Sequence, residues 1–135
     1  MTDASRVSSL TQAVQRYLDL MYDGDVSRFD QVFASTSQLH GLREGKIAML
    51  TAAGFKDLIG NRKSPKALGA PREEAILMLD FASPTQALAK VRVRIAQTQY
   101  VDYLVYHLID GAWLVTAKGF HIERVYPTAT AAAAA

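Results

Sequence analysis

The sequence predicts an α+β fold in which helices lead and a curved, antiparallel sheet follows. Three observations predict it. Apolar residues recur at spacings of three and four through Ile59, from Ala87 they alternate strictly with charged ones, and Asp110-Gly111 is a two-residue turn signal between β-rich runs. The 135 residues, 50% hydrophobic and 21% charged, suffice for one core. A single domain over residues 1–127 is expected, followed by a low-complexity tail at 128–135, TATAAAAA.

The elements follow in order. Val7, Leu10, Ala13, Val14, Tyr17, Leu18 and Met21 form one face of a helix over Ser5–Tyr22, which Gly24 ends. Asp25 or Ser27 begins a second short helix through Phe29, Val32 and Phe33. Gly41 and Gly45 interrupt an apolar pattern and predict a brief strand or hairpin around Leu39–Leu42. Thr51 caps a third helix, with Ala52, Phe55, Leu58 and Ile59 on one side, ending near Asn61.

Strands follow Pro71. Ala75–Phe81 is a short apolar run, and next Ala89, Val91, Val93 and Ile95 face one way while Lys90, Arg92 and Arg94 face the other. If Asp110-Gly111 forms the last turn, Ile109 pairs with Ala112, Tyr106 with Val115, Leu104 with Ala117 and Tyr100 with His121. One face is then Tyr100, Asp102, Leu104, Tyr106, Leu108, Trp113, Val115, Ala117 and His121. Lys118 and Phe120 fall on the opposite face with Val101, Tyr103 and His107. Both faces carry large apolar groups, so the outer one is expected to cover a second copy of the chain.

Composition removes several functions. With no cysteine there is no disulfide framework, thiolate nucleophile or sulfur zinc site, and a cytoplasmic location is the expectation. No apolar run reaches the roughly 20 residues of a membrane span, and the start lacks the order of a secretory signal. A net charge of +2 gives no nucleic-acid-binding face. The basic cluster Arg62, Lys63, Lys66 and Arg72 reads as a solvated loop. No phosphate loop, nucleophile elbow or dinucleotide fingerprint is present, so no cofactor is expected, and the histidine spacing gives no metal site.

The order of elements, with the segments YLDLMYDGD, LHGLREGKIAML, SPKALGAPREE and above all YVDYLVYHLIDGAWLVTAKGF, resembles the nuclear transport factor 2-like superfamily. The closest likeness is to its putative lumazine-binding family. That resemblance implies three N-terminal helices packed on a strongly curved, mostly antiparallel sheet, a cystatin-like cone. It also implies a homodimer and a pocket inside each cone, without fixing a reaction.

Asp102 is the sharpest catalytic candidate, since an acid between apolar neighbours has its charged form penalised and its pKa raised toward that of a general base. Its alternative role is a bond to backbone amides or to Lys118. His40 is the second candidate for acid–base work. Tyr17, Phe29, Phe55, Tyr106, Trp113 and His121 are candidate ligand contacts, the phenols as donors and the other rings as walls. Lys118 is either an anion contact, an acid's ion-pair partner or a surface lysine. Three functions remain: a homodimer that binds an apolar small molecule, an isomerase or dehydratase that moves a proton beside a carbonyl, or a structural dimerisation or accessory module.

Overall fold

The computed structural model describes residues 3–127, so the alanine-rich tail at 128–135 lies outside the described residues. Helix α1 spans Asp3–Asp23 and buries Leu10, Ala13, Val14, Tyr17, Leu18, Leu20 and Met21, close to the predicted apolar face. Gly24 follows with φ +68, and its N–H bonds the Leu20 carbonyl, closing the helix as the left-handed cap requires. The second helix is a single 3₁₀ segment, Val26–Gln31, capped by the Asp25 side chain on Ser27 N–H.

Val32 and Phe33 do not continue that helix. Strand β1, Phe33–Arg43, starts there and turns through Glu44-Gly45, both at positive φ, into β2, Lys46–Thr51. Thr51 then caps helix α2, Ala52–Asn61, by accepting from Gly54 N–H. Strands β3 (Glu74–Ser83), β4 (Gln86–Ile95), β5 (Thr98–Ile109) and β6 (Ala112–Val125) complete the chain. The fold is therefore α+β, with a sheet in the order β2-β1-β6-β5-β4-β3.

Two expectations change. The sheet has six strands, two of them where only a brief strand or hairpin was expected, and β1 runs parallel to β6 while every other pair is antiparallel. The three helical segments are not all N-terminal to the sheet, because the β1–β2 hairpin precedes α2. Its glycines, read as marking a brief strand or hairpin, serve that hairpin: Gly45 completes the turn, and Gly41 gives the Phe120 ring room against β1.

The core lies between the inner sheet face and the helices. Phe29 stacks on Phe33 at 4.8 Å, and Phe55 meets Phe33 edge-on at 5.6 Å, so three elements share one aromatic cluster. Trp113 donates its indole N–H to the Ser9 hydroxyl at 3.1 Å and packs against Phe81, fixing α1 to the far end of the sheet.

The β5–β6 register holds from Ile109↔Ala112 to Tyr106↔Val115 and then shifts, because Val105 pairs with Ala117 and Thr116 is left over. The Thr116 hydroxyl contacts His107 Nδ1 at 2.6 Å. A bulge of this kind bends its strand and reverses the alternation beyond it. Lys118 and Phe120 therefore turn inward, opposite Leu104 and Asp102, while Ala117 and His121 turn outward, reversing the predicted faces.

A Cβ on Gly41 would fall within the Phe120 ring. Gly41→Ala is expected to cost about 1–3 kcal/mol in urea denaturation, and Gly41→Ala/Phe120→Leu to recover most of the loss.

Candidate functional site

Asp102 and Lys118 are both buried, 1% and 6% exposed, on adjacent strands of the inner face. The Asp102 Oδ2 accepts from the Tyr17 hydroxyl of α1 at 2.6 Å and lies 3.7 Å from Lys118 Nζ. The Asp102 Oδ1 is buried without a hydrogen-bond partner. The ammonium also sits 4.6 Å from the centroid of Phe55 on α2 and 5.2 Å from that of Tyr17. Four elements thus converge on one buried charge.

The electrostatics follow from this enclosure. Burial lowers the Lys118 pKa, the Asp102 carboxylate opposes that shift, and the Arg62 guanidinium adds to it. Burial, then the Asp102 charge, holds the Tyr17 phenol well above its usual range, so it remains a hydrogen-bond donor. Arg62 is also lowered by burial.

Lys118 forms part of the wall of a cavity of about 360 Å³ between α2, the β1–β2 hairpin and the ends of β5 and β6. Leu39, Leu50, Phe55, Leu58, Ile95 and Phe120 make it mostly apolar. Its polar groups are Lys118, Arg62, Arg43 and the Tyr100 hydroxyl, and among the described residues no acid lines it. Arg43 donates to Tyr100 Oη at 3.3 Å and lies over the Phe120 ring at 5.2 Å. Asp102 is not in the wall; it stands behind Lys118.

Of the residues singled out from sequence, Phe55 lines this cavity and Tyr17 and Asp102 support its lysine. The others are elsewhere. His40 is exposed on β1, whose alternation turns Leu39 inward and His40 out, so it does not meet Asp102. His121 is on the outer face beside Tyr103, Lys90 and Glu123, displaced there by the bulge at Thr116. Phe29 and Trp113 are core, held by the ring contacts and the Ser9 bond described above. Tyr106 is fully buried with an unpartnered hydroxyl, its pKa raised by burial, and does not line the cavity.

Four cavity residues were not placed by sequence reasoning. Lys118 and Phe120 were assigned the wrong face because alternation was counted through the bulge. Arg62 was read as part of a solvated loop, yet it is the residue at which α2 stops and its side chain turns to the cavity. Arg43 carried no signal beyond its position before the hairpin turn. The available signal for Lys118 was its setting between small residues, Ala117 and Gly119, in a strand where an ammonium needs a partner.

Among the described residues no group of three or more His, Cys, Asp or Glu is placed to hold a metal ion, and no helix is long and apolar enough to cross a membrane.

An α+β sheet wrapped on a helical layer, with a cavity at one end, defines the nuclear transport factor 2-like class. The chain belongs to the putative lumazine-binding family, whose sequence profile matches residues 5–121. It is similar in structure to an NTF2-like protein of unknown function from Silicibacter pomeroyi, with 21% identity, TM-score 0.82, and 91% of this chain and 100% of that one covered. An NTF2-like protein of unknown function from Shewanella baltica gives 21% identity and TM-score 0.79, covering 95% and 99%. A ketosteroid isomerase-like protein from Erwinia carotovora atroseptica gives 10% identity and TM-score 0.65, covering 86% and 95%. No curated protein matches the sequence.

Removing one member of a buried ion pair leaves the other charge uncompensated. Lys118→Met is expected to destabilise by about 3–5 kcal/mol in chemical denaturation, and Lys118→Met/Asp102→Asn to regain at least half, because the amide still accepts from Tyr17.

Proposed function

We propose that this protein binds a small molecule in the cavity between α2, the β1–β2 hairpin and the ends of β5 and β6. One observation carries the reading: the cavity, about 360 Å³, combines apolar walls with a few convergent polar groups, the composition of small-molecule sites. Membership of a family described as lumazine-binding and the NTF2-like fold support it without naming a ligand. Phe55 and Phe120 are aromatic walls suited to a flat ligand body, and Tyr100 offers a hydroxyl at the same site. The ligand contacts are therefore Phe55, Phe120, Leu58, Tyr100 and Lys118, with Tyr17 and Asp102 as positioning residues behind the lysine.

A thermal-shift screen with heterocycles, steroids and aromatic acids tests this reading. Ligands that raise the melting temperature of the wild type are expected to lose that effect in Ala48→Trp, which fills the cavity from β2. Retention of the shifts in Ala48→Trp overturns the assignment of the site.

A second reading, an isomerase or dehydratase, is favoured by the Lys118–Asp102–Tyr17 arrangement and by the fold shared with a ketosteroid isomerase-like protein. Lys118, with its lowered pKa, is then the proton acceptor at the cavity, and Asp102, proposed from sequence as the base, stabilises the charge that Lys118 takes up.

The outer sheet face is the proposed contact for a second copy. Leu77, Met78 and Tyr103 are 40%, 44% and 43% exposed there. Light scattering after size exclusion is expected to give a dimer for the wild type and a monomer for Tyr103→Glu; a monomeric wild type overturns the contact.

A further inference from the structure

The cations of the cavity are only partly neutralised by the protein. Lys118 has one acidic neighbour, Asp102, whose nearest oxygen is 3.7 Å from the ammonium, beyond the reach of a strong charge-assisted hydrogen bond. Arg62 lines the same cavity, and its Nη2 is buried without a hydrogen-bond partner. Among the described residues neither Arg62 nor Arg43 forms an ion pair, although two basic residues of the same cluster do: Arg72 pairs with Asp19 and Glu74, and Lys66 with Asp23. These acids of α1 and β3 are thus engaged elsewhere.

A guanidinium and an ammonium in an apolar enclosure are costly to leave unmatched. Lys118 and Arg62, with Arg43 as a third cation bonded to Tyr100, have one carboxylate between them, so positive charge is left over at the cavity. The complement to that excess is an anion. The guanidinium supplies planar donors suited to a carboxylate, and the apolar walls require that the group be attached to a hydrophobic body.

Resting on the reading of this cavity as the ligand site, we propose that it selects organic anions, specifically carboxylates on a flat or extended apolar body, with the carboxylate held between Arg62 and Lys118. Arg62 determines specificity for charge. Phe55, Leu58 and Phe120 hold the body and discriminate little between an acid and its neutral isostere.

Calorimetric titration of the full chain with 2-naphthoate, 4-phenylbutyrate and decanoate, each against its own primary amide, tests this. At least one acid is expected to bind about tenfold or more tightly than its amide. Arg62→Met is expected to remove that preference while leaving amide affinity within about twofold, and Arg62→Lys to restore part of it. If acids and amides bind alike, or if Arg62→Met leaves the preference intact, the charge assignment is overturned while the cavity remains a ligand site. If binding of both forms persists unchanged in Ala48→Trp, or if no acid or amide binds the wild type, both the charge assignment and the cavity reading fall.

Discussion

A charge removed from water must be given partners, and in this protein meeting that demand joins every layer. The Lys118 ammonium comes from β6, its counter-charge Asp102 from β5, the phenol that holds Asp102 from α1 and the ring beneath the ammonium from α2. Hydrophobic burial draws the helices onto the sheet, but apolar contact is tolerant of small displacements. The 2.6 Å bond from Tyr17 to Asp102 is not, and it fixes the depth at which α1 sits on the strands. The ion-pair partner of that carboxylate, Lys118, is the group presented to the cavity. Structural order and the chemistry of the proposed site therefore rest on a single buried pair.

Much of the fold was legible because its signals are local. The 3.6-residue period of α1, the Thr51 cap, the alternation of β4 and the Asp110-Gly111 turn each depend on a few adjacent residues, and each was located to within a few positions. Pairing across long separations was not legible. Nothing near Phe33 announces a strand that lies parallel to one begun at Ala112, so β1 was read as little more than a hairpin tip. The candidate site was only partly legible for a related reason. Asp102 was placed correctly on the inner face because it precedes the irregularity, whereas everything after Thr116 was assigned to the wrong side. Arg62 was hidden by its company, since a basic residue in a run of basic residues reads as solvated.

That run divides by role. Arg72 bridges Asp19 and Glu74 and lies over the Tyr22 ring, tying the loop after α2 to the end of α1. Such partly exposed bridges contribute little to stability individually, but they consume the nearby carboxylates. The loop thereby engages acids of α1 and β3 away from the cavity and leaves Arg62 with rings and aliphatic groups for neighbours. Charge selectivity at a site can be established in this way by where the opposite charges have been committed.

The extra residue at Thr116 also bears on how such a site changes over evolutionary time. Deleting that codon would leave Val115, Ala117 and Lys118 in regular alternation, with the lysine and the phenylalanine still inward, whereas a change that draws Thr116 into the ladder would send both outward and bring alanine and histidine in. A lineage can thus lose its cationic floor without altering any ligand-contacting codon. Two homologues with the same lysine in an alignment therefore share a binding preference only where the residue at the bulge is looped out of the ladder or absent.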